Sequence, residues 1–222
     1  MSTHKKDAIF QEILERLLTG RYRFGDRILV KEISEETGVS RQPIMTALYN
    51  LQERGFVRIT AQVGCEVVSP TPEGVADFYR MFAIIEGLIG ELAASRASAE
   101  DIRLLRFINE GIANIDPDRP DRGEAYRKLN IEFHTQLHSM ARSPLVCQRQ
   151  LANFELSDFL IVQTCGFDFH LDDATDEHAF IIDAIAQGDA ERARQASHEH
   201  IASVARNVAA SLAEKAEALP SS

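Results

Sequence analysis

Glu32-Ile-Ser-Glu-Glu-Thr-Gly-Val-Ser-Arg-Gln-Pro43 decides how the first third of the chain folds. Lys31 to Thr37 reads as a short helix that stops at Gly38. Val39 then turns inward to plug the core, and Ser40 is placed to cap a second helix from Arg41 to Arg54. Ile44, Leu48 and Leu51 lie on one side of that helix, and Gly55 follows its end, where a left-handed residue is wanted. Two helices joined by a tight glycine turn let the second project its first residues into a major groove.

Upstream, Ile9, Ile13, Leu14, Leu17 and Leu18 form a helical stripe that ends at Gly20. Downstream, Phe56–Thr60 and Cys65–Val68 are short strand-like runs with Gly64 at the turn between them. Three helices followed by a hairpin is the winged helix-turn-helix order. No carboxylate occurs between Gly38 and Gln52, which suits a helix facing phosphates. Gly64 permits a tight wing tip.

Charge separates this head from the rest. Residues 1–69 carry 10 basic and 9 acidic side chains, against 14 and 25 in residues 70–222. The chain's net charge of −10 is therefore carried by the body and does not exclude DNA from the head. Three cysteines without a C-x-x-C pair exclude a disulfide framework and a cysteine zinc site, and fit the reducing cytoplasm. No apolar run is long enough to span a membrane, and the opening residues carry no signal-peptide core.

Ser69-Pro-Thr-Pro72 is a stiff break. The expected organisation is a DNA-binding domain over 1–69, a linker over 70–73, an all-helical domain over 74–215 and a tail over 216–222. Helices are predicted near 73–96, 99–114, 121–141, 144–165, 172–187 and 189–215. The fold class is mainly α: a winged helix-turn-helix followed by an antiparallel helical bundle.

Six of the seven histidines lie between residues 134 and 200. Asn130 and His134, four apart, share a helix face with Arg127. His178 sits beside the stripe Ile181, Ile182 and Ile185, and His200 shares a face with Val204 and Val208. Inward imidazoles in an apolar interior fit a Zn²⁺ or Ni²⁺ site, and they equally fit hydrogen-bonded core histidines. His138, His170 and His198 read as surface residues or supports. A metal held by imidazoles is expected to weaken as pH falls through about 6.5. Arg127 reads either as an anion ligand or as a solvated surface arginine.

The head resembles the N-terminal domain of the GntR family of bacterial transcription regulators. The matching pieces are Gly20-Arg-Tyr-Arg-Phe-Gly-Asp-Arg27, Glu32-Ile33, Gly38-Val-Ser-Arg41, Pro43-Ile44, Ala47-Leu48, Leu51 and Gly55-Phe-Val57. The resemblance implies that Lys31 and Arg41 contact operator DNA. Met45 stands where the family has a second arginine, and Thr46 where it has a glutamate. Met45 offers an apolar contact, for instance to a thymine methyl, while Gln42 and Thr46 remain as polar readers.

The body resembles the C-terminal ligand domain of the FadR subgroup, through Tyr79–Ala93 with Glu86, Asn130-x-x-Phe-His134 with Leu137, Ser143-Pro144-Leu145, Glu177-His178-x-x-Ile-x-x-Ala-Ile185 and His200-Ile201. That resemblance implies a divalent metal on Asn130, His134, His178 and His200, with asparagine in place of the usual aspartate. Phe82 stands where an effector-binding arginine is common, so Arg127 is its candidate substitute. The implied protein is a homodimeric repressor of double-stranded operator DNA, answering to a small organic acid. A metal-dependent enzyme, or a regulator whose sensor is vestigial, is the alternative.

Overall fold

The computed structural model describes residues 2–168 and 171–218, with side chains over 8–168 and 173–215. His170 lies outside the described residues. The backbone contacts divide into two units, residues 1–70 with 154–163, and residues 71–153 with 164–222.

The first unit opens with α1 (Ser2–Leu18), whose stripe Ile9, Ile13, Leu14 and Leu17 is buried. After β1 (Arg27–Ile28) come α2 (Val30–Thr37) and α3 (Arg41–Glu53). Gly38 closes α2 with φ +67, and its N–H bonds the Ser34 carbonyl. That left-handed geometry strains any residue with a Cβ, so the glycine makes the turn. Ser40 occupies the N-cap position of α3, but its hydroxyl makes no capping bond. Val39 stays half-exposed; Ile33, Ile44, Leu48, Leu51 and Phe56 fill the core instead.

The wing has one more strand than the sequence suggested. β1 pairs antiparallel with β3 (Gly64–Val67), which also pairs with β2 (Val57–Thr60), giving the order β1-β3-β2. A two-residue strand leaves no alternation to read. The tip turns through Gln62 at φ 64 and Gly64 at φ 128.

Residues 154–163 also join this unit, although the sequence assigned them to the helical body. Phe159 is buried and meets Phe24 and Phe56 edge-on at 5.6 and 5.4 Å. Gln163 donates to the Tyr22 carbonyl at 2.8 Å and accepts the Phe24 N–H at 3.1 Å. Arg54 pairs with Glu155. Aromatic packing at long sequence separation has no signature in a local pattern.

The second unit is helical: α4 (Pro72–Arg96), α5 (Ala99–Ala113), α6 (Arg122–Ala141), the first half of α7 (Pro144–Gln163), α8 (Leu171–Ala186) and α9 (Ala190–Ala218). The proline break is partly absorbed into α4. Pro72 is its first residue, where a missing N–H costs nothing, and Thr71 caps by accepting the Gly74 N–H at 3.1 Å. A reciprocal box between Ser98 and Asp101 starts α5. α4 runs against α9 with the backbones close together. A Cβ on Gly90 would lie 2.7 Å from the Ala193 carbonyl oxygen, so only glycine allows that approach. Glu86, His134, His178 and His200 stand on α4, α6, α8 and α9, and all four are buried.

Candidate functional site

The head presents its candidate residues to water. Ser40, Arg41 and Gln42 are exposed at the start of α3, and Met45 and Thr46 are half-exposed one turn later. The Thr46 hydroxyl donates to the Gln42 carbonyl at 3.1 Å, so its proton is committed to its own helix. Lys31, Arg41, Met45 and Gly64 line one hollow of about 580 Å³, with Leu29, Tyr49 and Val63. No carboxylate lines it. Lys31 stands 3.7 Å from Glu35 in a solvent-exposed pair, which contributes little and yields readily to a phosphate.

The body hides its candidates. His178 is fully buried, with its ring stacked on Phe133 at 3.7 Å and 8°. Asn109 donates its amide N–H to the Thr175 carbonyl at 3.0 Å, which turns its oxygen toward His178 Nδ1 at 3.1 Å. Nδ1 must therefore carry the proton, and Nε2 is left as a bare lone pair. That Nε2 is buried without a hydrogen-bond partner.

The other two imidazoles repeat the pattern. His200 Nδ1 meets Glu177 Oε2 at 2.7 Å, and His134 Nδ1 meets Glu86 Oε1 at 3.0 Å. A carboxylate only accepts, so each Nδ1 donates, and in the neutral ring each Nε2 is bare. His134 Nε2 and His200 Nε2 then face each other at 3.3 Å. The ligand nitrogens of His134, His178 and His200 all lie within 4.8 Å of one another.

Lone pairs gathered this way repel unless a proton or a cation sits among them. Bonds of about 2.0–2.1 Å to one ion place neighbouring nitrogens about 3.0–3.4 Å apart, which the His134–His200 spacing already meets. The residues fit a divalent ion: neutral imidazoles, each aimed by a hydrogen bond on its far nitrogen. They would hold it through Nε2, and it would supply open positions for an oxygen ligand.

Asn130, one turn before His134, is half-buried, and its Oδ1 accepts the Tyr126 hydroxyl at 3.4 Å. Arg127 is not the solvated arginine of one sequence reading: its side chain is 11% exposed and stands 3.7 Å from Glu124. Phe82 is buried, with its ring beside Phe78 and Tyr79. His138 is buried as well and bonds Glu86 at 3.1 Å, behind His134. Sequence reasoning had no view of Asn109 or Gln150, whose parts depend on partners far along the chain.

Burial dominates the titration of the imidazoles. It pushes His134 down to about 4 and His178 well below its ordinary value. Both are neutral lone-pair donors at neutral pH, and the proton competes at His134 only near pH 4, not at the 6.5 of a free imidazole. Burial alone would raise Glu86, but His138 and His134 outweigh it and hold the carboxyl well below the usual range. The His200 bond similarly overcomes burial at Glu177.

A winged helix-turn-helix head followed by an all-helical domain is the build of a DNA-binding regulator. Comparison with known proteins agrees. Residues 5–67 match the gntR family of bacterial regulatory proteins, and residues 77–203, more than half of the chain, match the FCD domain. The chain belongs to the GntR family of bacterial transcription regulators, with the FCD domain of its FadR-like subgroup. This is a family of regulators and not of enzymes.

Among curated relatives, the galactonate operon transcriptional repressor of Escherichia coli (strain K12) is 24% identical, over 94% of this chain and 98% of that protein. The transcriptional repressor NanR of Salmonella newport (strain SL254) is 25% identical, over 92% of this chain and 85% of that protein. E. coli McbR/YncC shares the fold at TM-score 0.73 and 15% identity, over 95% of this chain and 98% of that chain. Among the described residues, no helix is long and apolar enough to cross a membrane.

Proposed function

We propose that this regulator is a repressor that binds double-stranded operator DNA as a homodimer in the cytoplasm, and that a metal-assisted carboxylate site controls it. In this reading Arg41 and Lys31 contact bases and phosphates, with Ser40, Gln42, Met45 and Thr46 on the reading helix and Gly64 at the wing tip. One helix reads few base pairs, and a dimer doubles the half-sites. The repressing sign follows the two relatives above, both named as repressors.

A single observation carries the sensor reading: three bare Nε2 atoms converge, and that of His178 is buried without a partner. His134, His178 and His200 would hold Zn²⁺ or Ni²⁺, with the Asn130 amide oxygen completing the protein ligands. The ion would offer its open positions to the carboxylate of a small organic acid. Arg127, on the Asn130 face, would hold the rest of the anion, in the role that Phe82 cannot fill.

Calorimetry of small carboxylates against metal-loaded and chelator-stripped protein tests this. Binding to the loaded form alone, with a change in operator affinity, is the expected result. Equal binding to both forms overturns it. Asn130→Asp adds a charge to the shell and should hold metal more tightly and the carboxylate less tightly.

A further inference from the structure

Glu86 is fully buried on α4. Its Oε1 takes the His134 Nδ1 proton at 3.0 Å. Its Oε2 takes Gln150 Nε2 at 2.8 Å and His138 Nε2 at 3.1 Å. Gln150 cannot turn over: its N–H also reaches the Phe82 carbonyl at 3.2 Å, and its own oxygen accepts from Asn153 at 2.9 Å. Glu86 is therefore clamped as an acceptor from two sides.

We infer that Glu86, clamped by Gln150 and His138, is the positioning residue of the metal centre: it fixes the His134 tautomer and aims Nε2 at the ion. This rests on the His134–His178–His200 reading above. An ionised carboxylate on Nδ1–H makes Nε2 a better donor and removes the competing tautomer, which would put a proton where the ion belongs. His138 thus has a purpose one turn beyond His134: it holds the carboxylate that holds the ligand. The burial of a charge at this depth is offset by these donors.

Glu86, His134 and His138 also lie close enough together to ligate an ion themselves. An ion there would take the lone pair of His134 Nδ1 and move the ring proton to Nε2, 3.3 Å from His200 Nε2, while leaving His178 Nε2 buried without a partner. The two arrangements differ in which substitutions matter.

The test is Co²⁺ titration of the stripped full-length protein, followed by the visible ligand-field spectrum and by competition with a chromophoric chelator. Glu86→Gln should weaken Co²⁺ by about 10–100-fold and alter the spectrum while leaving a bound ion. His138→Gln, which leaves the Glu86–His134 bond in place, should weaken it less, and serves if Glu86→Gln does not fold. His178→Ala should remove binding. Folded Glu86→Gln or His138→Gln protein with wild-type affinity and spectrum overturns the positioning role while leaving the metal site standing. Binding that survives His178→Ala but vanishes in Glu86→Gln makes Glu86 a ligand and overturns it too. Wild-type protein that takes no Co²⁺ overturns the metal reading and this inference with it.

Discussion

The head and the helical body treat their functional side chains in opposite ways. On α3, Arg41 and Gln42 stand in water, and among the described residues Arg41 has no ion-pair partner. In the body, His134, His178 and His200 are buried, and every Nδ1 is matched to a named acceptor. An exposed residue acts through its own chemistry, so changing it should alter binding and leave folding alone. A buried one acts through what holds it, so changing it should alter both.

Three predictions probe that contrast. The largest concerns Arg41, the basic residue at the mouth of the recognition helix. Arg41→Ala should lower specific operator affinity by about 1–3 kcal/mol at fixed salt, with an unchanged melting temperature. Unchanged affinity, or a fall in melting temperature of the same weight, would break the contrast on the head's side.

Acid stability comes next and belongs to the body. Folded His134 titrates near 4, and an unfolded imidazole near 6.5. Between those values the unfolded chain binds a proton that the folded site refuses. Stability of the metal-free protein should therefore fall as pH drops from about 6.5 toward 4, and the loss continues below about 4.5, where unfolded Glu86 and Glu177 take protons that the folded carboxylates resist. Thermal melts across that range measure it. A flat profile would mean that the burial of His134 is not maintained.

The smallest expected effect is at Met45, in the hollow beside Arg41. Met45→Arg adds a cation at a half-exposed site, so the salt dependence of DNA binding should steepen by about one counterion. An identical slope would place residue 45 away from DNA.

Most of the head was legible because its signals are local. Gly38 at positive φ, the stripe of α1 and the Ile44–Leu48–Leu51 face are all matters of a few residues. β1 was not, being two residues long and defined only by β3 across from it. In the body, the helix boundaries and the inward histidines could be read from periodicity. Their hydrogen-bond partners could not: Asn109 reaches His178 across 69 positions, and Gln150 reaches Glu86 across 64. His138 read as either a surface or a supporting residue, and its burial against Glu86 fits the second; spacing shows which face a side chain shares, not what waits there. The grouping of residues 154–163 with the head was hidden for the same reason, since Phe159 is one more apolar residue until Phe24 and Phe56 meet it.

The central claim is that the three bare Nε2 atoms are a metal site and not core packing. Elemental analysis of full-length protein purified without an affinity tag tests it most directly, for the wild type and His178→Ala side by side. About one divalent ion per wild-type chain is predicted, with none in folded His178→Ala protein that still binds DNA. A wild-type chain free of metal, even after incubation with Zn²⁺ or Ni²⁺ at neutral pH, would contradict the account.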